Sequence, residues 1–377
     1  MLINNTILSK ALVQGIRDEH HGIFWCDFGN KIAYKKLSGQ VMPSTIDFSN
    51  TFGTSDKITE CNLIIINSKL YHINSSNQAV VFGAVPAFCT SISGTIYSNS
   101  LDAAYCVSAG YLYEISYNNT GTAYSLKVGS DNTWTMVSGT YYTYETGYPT
   151  TTTVTTYAYG INNGKLYCLA HPTANTSSAT TTVTVVKSGS TTITGWTFIQ
   201  GSSNTSGSVT SGTYGIANGK LYKIIGSSAS QVGTMTGWTE VRGHIGTAFG
   251  LCNGELYGIV STTNNVHKTV KVEEANINGN WTSYTNHFLI NNGKLYYAYL
   301  YESYDELKYS IQQLGTDTKW SMVSGQGVGN AYAWGINTGV VFKLYNDGYQ
   351  GNGFQTDVQQ CVGIYGGLTG FAVCNLD

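Results

Sequence analysis

Charged side chains are scarce in this chain of 377 residues. Lys, Arg, Asp and Glu together make up 11% of it, whereas a soluble domain usually carries about 25%. The 19 basic and 21 acidic residues give a formal net charge of -2. The chain therefore lacks the basic footprint that non-specific nucleic-acid binding requires, and we expect neither nucleic acid nor a polybasic membrane patch among its functions.

Long apolar runs are also absent, since no stretch reaches the roughly 18 residues that a membrane-spanning helix needs. Residues 1–6 lack the basic and apolar regions of a signal peptide, so we expect no membrane insertion and folding in a cytoplasm. The chain has 8 cysteines but no C-x-x-C pair, which argues against zinc-ribbon and thioredoxin-like sites. Cysteines in apolar alternating runs are predicted to be free core thiols; these are Cys106, Cys168, Cys252 and Cys374.

The chain is rich in glycine (44) and tyrosine (29), and one motif recurs along it. Residues 159–167 read YGINNGKLY, and 214–222, 249–257 and 288–296 repeat this pattern. Weaker copies end at Tyr71, Tyr113 and Phe342. Each copy is typical of a β-hairpin, because Asn-Gly favours a type I′ turn with positive φ at both central residues.

A second motif begins with tryptophan and closes with glycine five residues later, at Trp134, Trp196, Trp238 and Trp320. A β-branched stretch, such as residues 181–186, lies between a hairpin and the following tryptophan. The unit is thus four antiparallel strands in about 40 to 55 residues, which is the size of a propeller blade. We expect the apolar strand to be innermost and the tryptophan strand outermost.

The two ends of the chain are predicted to share one sheet. The chain ends on an apolar strand, residues 370–374, without its hairpin partners, and segments 22–26, 31–34 and 45–48 would supply them. Inner strands are predicted near 62–66, 104–108, 157–161, 213–217, 247–251, 286–290, 331–336 and 370–374. Degenerate outer strands are predicted at 47–53, 88–94 and 361–366.

These patterns predict an all-β fold, a single closed β-propeller of four-stranded antiparallel blades. We expect eight blades closed by a composite blade from both termini, with seven as the alternative if the N-terminal segment is an attachment arm. Residues 1–21 are assigned to an N-terminal arm or covering segment, and residues 22–377 to the propeller.

The hairpin motif resembles the repeat of the regulator-of-chromosome-condensation type of propeller, which also places an apolar strand, a glycine turn and an aliphatic-aromatic pair in each blade. The His and Trp-Gly positions of that family are mostly absent, so exchange-factor activity is not implied. The composition is similar to that of bacteriophage tail-fibre and receptor-binding proteins. This resemblance implies a virion protein made in the host cytoplasm, with other virion proteins and a host-surface glycan as partners.

Catalytic chemistry is hard to find in the sequence. His20 and His21 are adjacent and would point to opposite faces of a strand, so they do not suit one metal ion. No nucleotide-binding glycine loop or nucleophile elbow is present. We therefore predict no catalytic residue, metal or cofactor. The remaining histidines are expected to be hydrogen-bonded or exposed: His72, His171, His244, His267 and His287. The acidic pairs are Asp18–Glu19, Glu273–Glu274 and Asp305–Glu306, and none lies in a hairpin tip shared among blades. The cluster of Glu302, Asp305 and Glu306 is expected to be a solvated loop.

Tyrosine is concentrated in two predicted loop insertions, residues 139–149 and 298–305. A tyrosine ring offers an apolar face and a hydroxyl at low entropic cost, which suits protein paratopes and sugar rings. We predict that these clusters bind a host-surface glycan or a neighbouring virion protein. Alternatively, they alternate along strand extensions and pack or face solvent. The predicted ligand-binding residues are Tyr141, Tyr142, Tyr144, Tyr148, Tyr299, Tyr301 and Tyr304.

The function predicted from the sequence is a non-enzymatic virion structural or host-recognition protein of a bacteriophage, at the tail or capsid surface. A stand-alone carbohydrate-binding lectin propeller is the leading alternative, and it would require the same loop residues in most units. A glycan-cleaving propeller enzyme is the third, and it would require clustered arginines and carboxylates.

Overall fold

The chain folds into β-strands. A computed structural model describes residues 22–27, 35–36, 63–66, 68–73, 79–83, 85, 88–93, 104–117, 123–147, 151–173, 181–200, 212–244, 247–261, 267–273, 280–285, 287–303, 306–325, 333–345, 348–349, 361–366 and 369–374. Within these residues there is no helix, and hence none long and apolar enough to cross a membrane. The predicted all-β class is confirmed. The segment assigned to an arm, residues 1–21, lies outside the described residues.

The described strands form eight sheets, which we number along the chain with a terminal sheet last. The terminal sheet contains β1 (Gly22–Asp27), β2 (Lys35–Lys36), β32 (Cys361–Gly366) and β33 (Thr369–Cys374). Sheet 1 contains β3 (Leu63–Ile66), β4 (Lys69–Ile73) and β5 (Ala79–Val81). Sheet 2 contains β6 (Cys89–Ser93), β7 (Ala104–Ser108), β8 (Tyr111–Tyr117) and β9 (Ala123–Lys127). Sheet 3 contains β10 (Trp134–Gly147), β11 (Thr151–Asn162), β12 (Lys165–Thr173) and β13 (Thr182–Val185).

The remaining sheets follow in chain order. Sheet 4 contains β14 (Lys187–Ser188), β15 (Thr191–Thr192), β16 (Trp196–Ile199), β17 (Thr213–Ala217), β18 (Lys220–Ile225) and β19 (Ser228–Thr236). Sheet 5 contains β20 (Trp238–His244), β21 (Thr247–Cys252), β22 (Glu255–Ser261) and β23 (His267–Lys271). Sheet 6 contains β24 (Trp281–Tyr284), β25 (Phe288–Asn291), β26 (Lys294–Ser303) and β27 (Glu306–Gln313). Sheet 7 contains β28 (Trp320–Gly325), β29 (Ala333–Asn337), β30 (Val340–Tyr345) and β31 (Gly348–Tyr349).

Most of these sheets are four-stranded antiparallel meanders, and consecutive sheets pack against each other from sheet 1 to sheet 7 and on to the terminal sheet. This arrangement is consistent with a propeller-like fold. Sheet 4 departs from the pattern, because the β14–β15 hairpin extends its edge through a parallel pairing of β14 with β19.

The predicted strand order within a unit is wrong in one respect. The tryptophan strand begins a sheet and pairs with the apolar strand that follows it, as β20 does with β21. The apolar strand is therefore second, and the β-branched strand, such as β23, forms the far edge. The physical reason is a backbone hydrogen bond between sheets. The N–H that begins these strands donates to the turn of the preceding hairpin: Cys89 to Ser68 (2.8 Å), Trp134 to Gly110 (2.9 Å), Trp196 to Gly164 (3.1 Å), Trp238 to Gly219 (3.0 Å) and Trp320 to Gly293 (2.9 Å).

The two ends of the described chain meet in the terminal sheet, as predicted. Strand β33 lies between β1 and β32, with Ile23 opposite Val373 on one side and Tyr365 opposite Phe371 on the other. All eight predicted apolar strands are found, and so are the degenerate strands near 88–94 and 361–366. Strand β2, Lys35–Lys36, pairs with β1 and directly follows the predicted segment 31–34. Segments 31–34 and 45–53 lie outside the described residues.

The Asn-Gly turns adopt the predicted type I′ geometry. Asn163, Asn218, Asn253 and Asn292 have φ between 48° and 53°, and the glycines that follow them have φ between 67° and 79°. Both central positions thus occupy the left-handed region, where asparagine and glycine are best tolerated.

A tryptophan ring covers a glycine in four sheets. A Cβ on Gly160, Gly215, Gly250 or Gly335 would lie only 2.6 to 2.8 Å from Cζ3 of the tryptophan that begins the same sheet. The same indole rings pack on the tyrosine or phenylalanine of the third strand at 5.2 to 5.6 Å between centroids. In sheet 6 Leu289 occupies the repeat position of these glycines, and Trp281 lies farther from its aromatic partner Tyr296, at 6.3 Å. The glycine therefore sets how closely the indole can approach.

The residue that precedes the glycine position in the second strand, such as Tyr159 before Gly160, fills the space between neighbouring sheets. The largest fully buried side chains include six aromatic residues at this one position of the repeat. They are Tyr105, Tyr159, Tyr214, Phe249, Phe288 and Trp334.

We predict that Gly160→Ala lowers the free energy of unfolding by about 1 to 3 kcal/mol, because the new methyl group overpacks the ring of Trp134. Urea-induced unfolding followed by tryptophan fluorescence measures this change. Gly83→Ala is the matched control, since nothing lies within 4 Å of its Cβ position. Equal unfolding midpoints for the two variants would contradict the packing argument.

We also predict that a chain ending at Gly366, which lacks β33, unfolds at a lower temperature than the full chain, because β1 and β32 lose their common partner. A chain ending at Cys374 keeps the whole of β33 and is the control. Differential scanning calorimetry compares the three proteins. A Gly366 truncation that melts with the full chain would show that the terminal pairing does not contribute to stability.

Candidate functional site

The longest exposed aromatic feature of the described chain lies on β26. Tyr299 and Tyr301 are two residues apart and so point to the same face of the sheet. They are 52% and 38% exposed, and their rings are nearly parallel, with an interplanar angle of 13° and 6.1 Å between centroids. Exposure of two large aromatic rings that are already aligned is typical of a contact surface.

Polar residues of β27 lie beside the two rings. Tyr301 is opposite Lys308, and Tyr299 is opposite Ser310; residues directly opposite each other in an antiparallel pair share a face. Gln312, opposite Tyr297, continues the row. We call the set Tyr299, Tyr301, Lys308, Ser310 and Gln312 the tyrosine face. It combines stacked rings with an ammonium, a hydroxyl and an amide.

The tyrosine face carries little net charge. Lys308 Nζ lies 3.9 Å from Glu306 Oε2, and both side chains are well exposed. At the inner end of the face, the ring of His287 stacks on Tyr297 at 5.6 Å with an interplanar angle of 21°. Burial lowers the pKa of His287, and the hydrogen bond with the carbonyl of Ala298 opposes this only partly. The imidazole is therefore neutral at pH 7.

Sheet 7 covers the inner part of this face and leaves the outer part open. Leu295 and Tyr297 pack in a cluster with Trp320, Val323 and Phe342 of sheet 7. Tyr299 and Tyr301 continue along the same side of β26 but are exposed. Tyr299 and Tyr301 are thus the exposed continuation of a side of β26 whose inner part packs on sheet 7.

The tyrosines predicted as ligand-binding fall in two separate sheets. Both predicted loop insertions are strand extensions, so the loop assignment is wrong where the chain is described. Tyr141, Tyr142 and Tyr144 lie on β10, in register with Tyr157, Thr156 and Val154 of β11. The cause is an uninterrupted antiparallel ladder that extends to Gly147 opposite Thr151. Tyr148 and Tyr304 lie outside the described residues.

A buried polar cluster between sheets 2 and 3 was not predicted from the sequence. Glu114 on β8 is 1% exposed, and His171 on β12 is 6% exposed. His171 Nδ1 lies 3.4 Å from Glu114 Oε1. The hydroxyl of Thr181 donates to the other carboxylate oxygen and lies 2.9 Å from the phenol of Tyr105. A buried carboxylate is costly unless it is hydrogen-bonded, and the hydroxyl of Thr181 supplies such a bond.

The corresponding place between sheets 4 and 5 has the opposite charge. Lys223 on β18 occupies the repeat position of Glu114, and Tyr214 occupies that of Tyr105. The phenol oxygen of Tyr214 lies 2.9 Å from Nδ1 of His267 on β23. Burial, and then the charge of Lys223, lowers the pKa of His267 to about 4. The two sheet contacts therefore use the same repeat positions but place different polar side chains there.

The sequence contained one signal for these clusters. Glu114 and Lys223 stand in apolar strands at a repeat position where Cys168 and Gly258 stand in other units. The presence of an acid, a base, a thiol and a glycine at one repeat position indicates that the surroundings of this position differ from sheet to sheet. Among the described residues no group of three or more His, Cys, Asp or Glu side chains could hold a metal ion. Among the histidines whose side chains are described, His72 contacts Phe82.

We predict that the free energy of unfolding falls between pH 6.5 and about 4, partly through His267. Its pKa is lower in the folded than in the unfolded state, so the unfolded chain binds the extra proton in that range. His267→Gln removes this titration, and urea midpoints at pH 7 and pH 4.5 should differ less for the variant than for the original protein. An equal difference would contradict the role of His267.

Comparison with known proteins adds no family. No family model matches the chain, and no curated protein matches it. A solved structure of Kluyveromyces lactis Hsv2 is similar over 67% of this chain and 93% of that chain, at 9% sequence identity and a TM-score of 0.28. A likeness at that level carries no argument about fold or function, so the all-β, propeller-like architecture rests on the sheets themselves.

Proposed function

We propose that this chain is a non-enzymatic recognition protein of a bacteriophage particle, and that its tyrosine face binds a neutral host-surface glycan. The proposed fold is a closed, eight-bladed propeller in which the terminal sheet completes the ring. Other virion proteins are its proposed structural partners. The observation that carries the proposal is the pair of parallel, exposed rings of Tyr299 and Tyr301 beside polar side chains.

The chemistry of the tyrosine face suits a sugar. The apolar side of a pyranose ring stacks on an aromatic face, and its hydroxyls need donors and acceptors at the rim. Ser310 and Gln312 supply both, while Lys308 supplies donors. Because Lys308 is paired with Glu306, the face has no strong preference for an anion. A neutral saccharide therefore fits it better than a phosphate or an acidic peptide.

The face is specific to sheet 6, which distinguishes this proposal from a lectin with repeated sites. The repeat position of Tyr299 is occupied by Ala170, Ile225 and Val260 in sheets 3, 4 and 5. Those side chains cannot stack on a sugar ring. The conserved parts of the repeat are the turns, the tryptophans and the buried aromatic residues, which hold sheets together.

The glycan-cleaving alternative finds little support at the same place. Retaining and inverting glycosidases need two carboxyl groups within about 5 to 10 Å of each other. Glu306, on β27, lies next to the tyrosine face in sequence and is ion-paired with Lys308. The buried carboxylate of Glu114 lies in another sheet contact and already has Thr181 and His171 as partners. We therefore propose binding without cleavage.

We expect the double variant Tyr299→Ala/Tyr301→Ala to bind purified host-surface polysaccharide at least about tenfold more weakly than the original protein, since buried aromatic contacts are among the strongest at interfaces. Isothermal titration calorimetry and a glycan array measure the binding. Tyr124→Ala, which removes a part-exposed tyrosine from the edge strand β9, is the matched control.

Three results would count against the proposal. Unchanged binding by a folded double variant would remove the tyrosine face, and the triple variant Tyr141→Ala/Tyr142→Ala/Tyr144→Ala would then test the extension of β10. Release of reducing sugar from the polysaccharide would show an enzyme. Electron microscopy of the particle should show each copy of the chain as a closed ring of eight sheets. An open arrangement, or a different number of sheets, would reject the proposed closure.

A further inference from the structure

Sheet 2 replaces the tryptophan and glycine of the other sheets with two cysteines. Cys89 begins β6 where a tryptophan begins the corresponding strand of five other sheets, and Cys106 occupies the repeat position of Gly160 on the second strand. Both thiols are buried, and their sulfur atoms lie 3.3 Å apart. Loss of the indole is thus accompanied by a second cysteine at the one position that the indole would have covered.

We propose that Cys89 and Cys106 form a redox-active dithiol whose oxidation links β6 to β7 through a disulfide. The substrate is a low-molecular-weight disulfide such as oxidised glutathione. A disulfide has an S–S length of about 2.05 Å, so the two sulfur atoms must approach by a little over 1 Å from where they stand. Side-chain rotation within adjacent, paired strands can supply a movement of this size.

The two thiols have different roles, because the S–H of Cys106 donates a hydrogen bond to the sulfur of Cys89. That bond lowers the pKa of Cys89, while burial acts in the opposite direction. The same bond and burial raise the pKa of Cys106. Since the thiolate is the nucleophile in thiol–disulfide exchange, Cys89 is the attacking group and Cys106 the resolving one.

Cys89 lies next to a strained, exposed residue. Phe88 is 68% exposed and has a φ of 79°, a conformation that is unusual for a bulky side chain. The residues before Trp196 and Trp238 also have positive φ, but they are Gly195 and Gly237. Backbone strain of this kind favours local opening at this point.

Two backbone hydrogen bonds hold the segment that must open. The N–H of Cys89 donates to the carbonyl of Ser68 at 2.8 Å, and the N–H of Ala109 donates to the carbonyl of Phe88 at 3.2 Å. Their separation would expose the sulfur of Cys89 while most of the β6–β7 ladder stays paired.

The reaction balances in two exchanges. The Cys89 thiolate attacks one sulfur of the oxidant, forms a mixed disulfide and releases one small thiolate. The Cys106 thiol loses its proton to that released thiolate, and the resulting Cys106 thiolate attacks the sulfur of Cys89, which forms the Cys89–Cys106 bond and releases the second small thiolate. That thiolate takes up from solvent the proton that Cys89 had lost to it. One small disulfide is reduced to two thiols, and the protein dithiol is oxidised to a disulfide.

The experiment uses the unmodified full chain. The purified protein is incubated with oxidised glutathione, quenched in acid, alkylated in denaturant and digested for mass spectrometry. We expect one linked peptide that joins Cys89 to Cys106, loss of two alkylatable thiols at these positions, and a higher melting temperature. Cys168 is the internal control, because it is buried, belongs to a different cluster and has a pKa raised to about 12; it should remain fully alkylatable.

Two variants separate the roles of the thiols. Cys106→Ser should trap glutathione on Cys89 as a mixed disulfide, whereas Cys89→Ser should leave Cys106 unmodified. Full alkylation of Cys89 and Cys106 after oxidation of the folded protein would overturn the proposal. So would glutathione on Cys106 in Cys89→Ser, because Cys106 would then be an attacking group. Neither readout depends on glycan binding.

Discussion

Five of the described sheets, sheets 2, 3, 4, 5 and 7, are joined to the preceding sheet by the backbone N–H of the residue that begins their edge strand. That N–H donates to a carbonyl in the preceding hairpin turn, and in the turns before sheets 3, 4, 5 and 7 both central residues have the positive φ of a type I′ turn. The indole then lies over the glycine of the next strand. The tryptophan thus uses its backbone N–H to bond a turn carbonyl of the preceding sheet and its indole ring to cover a glycine of its own sheet. Nearest-neighbour coupling of this kind is how repeat architectures accumulate stability.

The exceptions show which part of this arrangement is essential. Leu289 replaces the glycine in sheet 6, and Trp281 moves away rather than being lost. Cys89 and Cys106 replace both partners in sheet 2, yet the N–H of Cys89 still donates to the preceding turn. In sheet 2 the backbone hydrogen bond is therefore retained although the side-chain packing changes.

The sequence predicted the local parts of the fold and missed those that depend on distant neighbours. Asn-Gly turns, the eight apolar strands and the pairing of β33 with β1 follow from turn chemistry and alternation, which are properties of a few consecutive residues. The position of the tryptophan strand in its sheet does not follow from such local properties, since the strand that begins at Trp238 is both preceded and followed by a strand with which it could pair. Its assignment depends on a hydrogen bond to Gly219 in another sheet.

For the candidate site too, the sequence predicted the residues but not the neighbours that the fold brings to them. Tyrosine enrichment pointed to Tyr299 and Tyr301, but their parallel rings and their polar neighbours on β27 depend on the register of the hairpin. The partners of Glu114 come from a sheet that begins 20 residues later in sequence, at Trp134. No local pattern specifies that such a carboxylate is buried, which is why its environment became apparent only from the packing of two sheets.

The terminal sheet gives the fold an arbitrary starting point. Gly22 lies directly opposite Cys374, and neighbouring strands are about 5 Å apart. A short peptide joining these two positions would make the sequence of sheets circular, and the polypeptide could then be opened at a hairpin elsewhere without removing any strand from its neighbours. The pairing of each strand with its neighbours, rather than the position of the cut, would be the property that the sequence encodes.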